Sequence, residues 1–197
     1  LFALMVGKDS ALFVPSGVMA NQIALAILSR PGTNVIAGWR AHVVNHEVGA
    51  AARNALIQFV TVDDTDGHMA LDDMTWAIEA ANHHHVEVSA IAVENTHMAS
   101  GGTPLSRDLL GQIAGLRLPV HMDGARLFNA SVATGVHVAA YGSTATTLMC
   151  CLSKGLAAPV GSLLALPAQL ADRARLERKR LGGAMRQAGI LAAAGIV

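Results

Sequence analysis

The chain carries little charge and no excess of either sign. Lysine and arginine number 14, aspartate and glutamate 14, and charged residues make up only 14% of its 197 residues. No basic field is available to follow a nucleic-acid backbone or to hold the chain on an anionic membrane surface. Cysteine is nearly absent: Cys150 and Cys151 are the only two, and they are adjacent. Neighbours in sequence close only a strained disulfide, and neither has metal-ligand spacing to another cysteine, so they read as buried thiols in a strand. The lack of a disulfide framework and of a recognisable secretory signal points to a reducing compartment, the cytoplasm. Mean hydropathy is high at +0.42, yet no apolar run is long enough to span a bilayer.

What is there in quantity is apolar residue at helix and strand spacing, 52% of the chain, enough for one domain with a real core. The patterning predicts helices over 16–30, 47–54, 71–81, 106–116, 126–133, 167–181 and 185–194. It predicts strands over 34–37, 57–62, 88–93, 119–122, 147–152 and 160–166. This alternation indicates an α/β domain with an open, mostly parallel sheet, without internal repeats or linkers. Residues 1–6 and 189–197 are apolar, so each end is expected to need a covering element beyond these residues.

In such sheets ligands sit beyond the carboxyl ends of the strands. Polar residues gather there: Glu94-Asn95-Thr96-His97 after one strand, Asp123-Gly124-Ala125-Arg126 after another, Ser153-Lys154 after a third. The chain has three lysines, Lys8, Lys154 and Lys179. Lys8, in a polar run, is expected to be solvated. Lys154 lies between an apolar strand and Gly155-Leu156-Ala157-Ala158-Pro159. An amine held among such groups loses hydration, its pKa falls and it becomes a nucleophile, with Ser153 beside it as a phosphate donor. A surface lysine at a strand end fits the position equally well. Asp123 can keep a heterocyclic nitrogen protonated, and Arg126 can fork onto a substrate carboxylate; a salt bridge within the turn is the plainer alternative. Ser16-Gly17 opens a helix whose free N–H groups suit a phosphate, although capping alone explains the pair. His42 and His97 follow strands and can act as bases or lie on a cofactor ring; a structural role is the commoner outcome for a lone histidine. His83-His84-His85 reads as a loop, and no metal site is expected.

In order, these segments resemble the threonine aldolase / aromatic amino acid β-eliminating lyase family. The matching runs are 11–17, Glu94-Asn95-Thr96-His97, Gly101-Gly102, 121–130, Cys151-Leu152-Ser153-Lys154-Gly155-Leu156, 158–162 and 181–189. They cover nearly the whole chain. The resemblance implies a PLP-dependent transferase-like (fold type I) large domain over 1–197. It also implies that the family's N-terminal arm and small C-terminal domain lie outside these residues, so the domain is expected to be incomplete at both ends.

The resemblance further implies pyridoxal phosphate (PLP) as cofactor, with Lys154 as its covalent anchor. Ser16, Gly17, position 18 and Ser153 would hold the phosphate, and His42 would stack on the ring. Asp123 would partner the ring nitrogen, Arg126 would lie near ring and substrate, and His97 near the substrate hydroxyl. Lys179 and Arg186 would reach the site from a neighbouring subunit of a homodimer or homotetramer. The reaction implied is retro-aldol cleavage of L-threonine or L-allo-threonine to glycine and acetaldehyde, with His97 as the base, directly or through water. An inert remnant of the fold and a related β-eliminating lyase are the alternatives. Three positions depart from the family pattern. Val18 replaces a threonine, losing a hydroxyl donor worth about 1.5–3 kcal/mol, or about tenfold or more in affinity. Ala157 and Ala184 replace glycines and would be strained at positive φ.

Overall fold

Seven strands form one sheet: β1 (Ser10–Val14), β2 (Asn34–Gly38), β3 (Gln58–Val62), β4 (Val88–Glu94), β5 (Val120–Asp123), β6 (Thr147–Cys151) and β7 (Ser162–Leu166). Their spatial order is β1-β7-β6-β5-β4-β2-β3. β7 runs antiparallel to both its neighbours, and the pairs from β6 across to β3 are parallel. The computed structural model describes residues 1–196, and none of its helices is long and apolar enough to cross a membrane.

The sheet is covered on both faces, as the unbroken burial of β4 requires. Ile36, Ile91, Val93, Leu148 and Cys150 point into one core layer under the helices Leu71–Glu79, Arg107–Gly115, Leu127–Thr134 and Val138–Gly142. The alternate residues Val35, Ala37, Ala90, Ala92, Met149 and Cys151 face the other layer. Alanines dominate that second face in β2 and β4, which lets the helix Gly17–Leu28 lie close to the sheet. The alternation also explains the two cysteines. Being neighbours in β6, they enter opposite core layers as free buried thiols, and burial pushes the Cys150 thiol up to about 12.

Helix Gly17–Leu28 starts where Ser16 Oγ accepts from Met19 N at 3.2 Å. At its other end the Arg173 guanidinium, on the helix Ala171–Arg180, donates to the carbonyls of Ala26 and Ile27 at 2.8 and 3.1 Å. That cation satisfies the last turn and complements the helix dipole.

Several expectations are corrected. The helix expected over 47–54 contracts to Ala50–Asn54, and a further short helix, His42–Asn45, precedes it. Val48 (φ +54) and Gly49 (φ +71) stand between them in left-handed conformation, which a continuous helix cannot contain. β1 and the helix Val138–Gly142 were not expected, and the helix over 185–194 contracts to Ala188–Ala192. Lys8 is half-buried rather than solvated: its Nζ donates to Ala145 O at 2.5 Å, and burial lowers its pKa.

Ala157 also holds a left-handed backbone (φ +57), whereas Ala184 does not. A left-handed residue with a Cβ costs about 1–2 kcal/mol, and glycine returns part of that as unfolded-state entropy. Ala157→Gly is therefore expected to stabilise the protein by about 0.5–1 kcal/mol in urea unfolding; an unchanged or lower midpoint would contradict the strain.

Candidate active site

A cleft of about 270 Å³ opens beyond the carboxyl ends of the parallel strands. Its lining includes Ser16, Gly17 and Val18 from the turn after β1, His42 after β2, Asp123 ending β5, and Ser153 and Lys154 after β6. Asn21, Ala125, Met149 and Cys151 complete its floor.

At one end stands the N-terminus of helix Gly17–Leu28. The N–H groups of Gly17 and Val18 make no hydrogen bond among the described residues. A Cβ on Gly17 would come within 2.8 Å of Met149 Cε and 3.0 Å of Cys151 Sγ, so a larger residue here would require the Met149 side chain to shift. Val18 is 38% exposed and brings no hydroxyl.

The floor is a continuous polar network. Asp123 Oδ1 accepts from Ala125 N at 3.0 Å, and Oδ2 accepts from Asn21 Nδ2 at 2.8 Å. Asn21 Nδ2 also donates to Glu47 Oε1 at 2.7 Å. Glu47 holds His42 Nδ1 at 3.1 Å through Oε1, and Oε2 accepts from Gln22 Nε2 at 2.6 Å. His42 N donates to Glu94 Oε2 at 2.7 Å. Under Asn21 lies His121, wholly buried, with Nε2 2.9 Å from Asn21 Oδ1 and Nδ1 2.9 Å from Thr147 Oγ1. Ligand atoms of His42, Glu47 and Asp123 lie within 4.8 Å of one another. They are tied together by N–H donors, which explains how two buried carboxylates share one floor.

The hydrogen bond to Glu47 raises the pKa of His42, against the opposing effect of burial and with help from the Asp123 and Glu94 charges. Burial raises the pKa of Glu94. A histidine whose folded-state pKa is raised stabilises the fold fully below its unfolded value, about 6.5. That contribution is lost as pH rises through the higher folded value. The His42 ring is expected to titrate above its unfolded value in an NMR titration assigned with His42→Gln; a midpoint at or below that value would remove the Glu47 pairing from the account.

The other expected site residues lie outside this cleft. His97 is buried, with Nε2 3.0 Å from Asp64 Oδ2 and Nδ1 2.9 Å from Ser100 Oγ, so both ring nitrogens are engaged. It lines a separate void of about 10 Å³ with Gly38, Asp64 and Glu94. Arg126 is exposed at the start of the helix Leu127–Thr134. Lys179 and Arg186 are exposed as well, and none of the three basic residues lines the cleft. Lys154 is exposed at the cleft mouth, with Ser153, Gly155, Leu156 and Ala157 exposed around it. The dehydrated setting expected for its amine is not what these residues provide, because the whole loop 153–157 is exposed.

Asn21, Gln22, Glu47, Glu94 and His121 were missed. The signal for the first two is visible in retrospect: two amides stand together in a helix that is otherwise apolar or small, GVMANQIALAIL. His121 shares the strand of Asp123 two residues away, hence on the same face.

All 197 residues match the family model for β-eliminating lyases. The chain belongs to the β-eliminating lyase family. Within that family it is 42% identical over 209 residues to low-specificity L-threonine aldolase 1 of Arabidopsis thaliana, with 99% of this chain and 57% of the relative covered. It is 39% identical over 199 residues to the low specificity L-threonine aldolase of Escherichia coli K12, covering 98% and 59%. The fold matches the solved Leishmania major threonine aldolase at a TM-score of 0.84 and 24% identity, covering 98% of this chain and 58% of that one. The chain thus spans little more than half the length of these relatives.

Proposed function

We propose that this chain forms the cofactor-binding part of a PLP-dependent threonine-aldolase-type lyase, acting on L-threonine or L-allo-threonine. One observation carries the reading: Lys154, Asp123, His42 and a helix N-terminus with free N–H groups line the same cleft. The donor set fits the cofactor. The Gly17 and Val18 N–H groups, which have no partner among the described residues, and the Ser16 and Ser153 hydroxyls suit the phosphate. Asp123 retains acceptor capacity for a ring N–H, and Lys154 supplies the amine for covalent attachment.

Bound PLP supplies an electron sink for the carbon–carbon bond that breaks. The chain's residues do the rest. Asp123 would partner the ring nitrogen, and His42, held by Glu47, would face the ring. A base beside the cleft would take the β-hydroxyl proton of threonine, the cleavage products being glycine and acetaldehyde. His42 presents its imidazole to the cleft. His97 has both ring nitrogens engaged by Asp64 and Ser100 and does not line the cleft, so His42 is the better placed base. Lys179 and Arg186 serve a neighbouring subunit's site in a homodimer or homotetramer, and the protein is cytoplasmic.

A second reading, PLP binding without turnover, is favoured by the position of Arg126, Lys179 and Arg186 outside the cleft lining. Incubation of PLP-loaded protein with L-threonine and L-allo-threonine separates the two. Glycine and acetaldehyde in equal amounts support the lyase, and cofactor binding without product supports the second reading. Product from serine but not threonine would shift the reaction to β-elimination. Absence of any bound cofactor would sink both readings.

A further inference from the structure

Asn21 is where the cleft's polar groups meet, and the chemistry of its neighbours fixes the direction of every bond around it. Its side chain is 1% exposed. Nδ2 faces two carboxylates, Asp123 at 2.8 Å and Glu47 at 2.7 Å. Ionised carboxylates only accept, so both amide hydrogens are committed there. The reversed amide would set its oxygen against two negative groups, which repulsion forbids. Oδ1 therefore faces His121 Nε2 at 2.9 Å. An amide oxygen only accepts, so Nε2 carries a proton. Burial lowers the His121 pKa to about 4, and the ring is neutral near pH 7. Nδ1 is then bare and must accept from the Thr147 hydroxyl at 2.9 Å.

We infer that Thr147, His121 and Asn21 form a one-way hydrogen-bond chain ending on Asp123 and Glu47, and that Asn21 is the positioning residue for both carboxylates. The functional part of this rests on the proposed cofactor site. The chain delivers an N–H to each carboxylate. Because Glu47 also holds His42, one amide ties the partner of the ring nitrogen to the imidazole that faces the ring. The direction runs from buried Thr147, which is not among the cleft-lining residues, outward to the carboxylates, so the donors facing them are set from inside the sheet.

The test begins on the cofactor-free chain. Nitrogen-15 NMR of labelled histidine, with His121 assigned through His121→Gln, is expected to show a neutral ring protonated on Nε2 near pH 7. A ring protonated on Nδ1, or a cationic ring, overturns the chain's direction whatever the cofactor does. The second arm titrates PLP into variants and reads affinity and absorption spectrum. Asn21→Leu is expected to weaken binding about ten- to hundredfold. His121→Leu should weaken it comparably. His121→Gln, whose side-chain nitrogen sits where Nε2 does and still donates to Asn21, should stay within about threefold of the parent. A purely structural role would lower affinity in step with thermal stability, so equal losses in His121→Gln and His121→Leu overturn the positioning role. If the parent chain takes no PLP, the cofactor reading fails, and the NMR result still decides the chain's direction by itself.

Discussion

Lys154→Ala is expected to abolish covalent attachment of PLP and to lower any threonine cleavage by at least about three orders of magnitude. The protein itself should remain intact. Lys154 is exposed on the loop after β6 and holds no partner in the core, so its truncation should change stability by less than about 0.5 kcal/mol. Neither of the other lysines can take its place. Lys8 precedes β1 at the far end of the sheet, with its amine on Ala145 O. Lys179 is exposed on the helix Ala171–Arg180 and does not line the cleft. The check pairs visible absorption after PLP addition with acetaldehyde release. A variant that keeps both the band and the turnover would show that the anchor lies elsewhere.

Acid is expected to destabilise the protein through His121. In the unfolded chain a histidine titrates near 6.5, whereas burial lowers this one to about 4. Between those values the unfolded chain binds a proton that the native ring refuses. Stability is therefore intact above about pH 6.5 and is lost progressively as pH falls toward the folded value. Over the whole interval the loss is about 3 kcal/mol, a large part of the roughly 5–15 kcal/mol of a typical domain. His42 has the opposite sign, its contribution fading as pH rises, so these two groups together place greatest stability near neutrality. Urea unfolding at about pH 7 and about pH 4.5 measures the loss, and His121→Gln should remove most of it. The same acid slope in the parent and the variant would mean that another group carries the proton.

The parts of the fold legible from the chain were those with local signals. Ser16 announces a helix start, Pro31-Gly32 its end, and the apolar runs before Asp123 and Ser153 the strands that present them. β1 was not legible because its five residues gain meaning only by pairing with β7, about 150 residues away. The helix expected over 47–54 failed because residue type does not reveal that Val48 and Gly49 turn left-handed. In the site, Lys154, Asp123, His42 and Gly17 were legible as strand-end and helix-start residues. Two properties were not. The solvation of Lys154 depends on what packs over its loop. The Asn21–His121 contact joins residues 100 positions apart, and only tertiary structure shows that the two amides of an apolar helix serve the carboxylates beneath the cleft.

The most direct measurement is reductive trapping. PLP-loaded protein is treated with borohydride, digested and mapped by mass spectrometry. With three lysines in the chain, the outcome is unambiguous: the cofactor should be found on the peptide containing Lys154 and on no other. A modification confined to Lys8 or Lys179, or no stable adduct after reduction, would contradict the assignment of this cleft as the cofactor site.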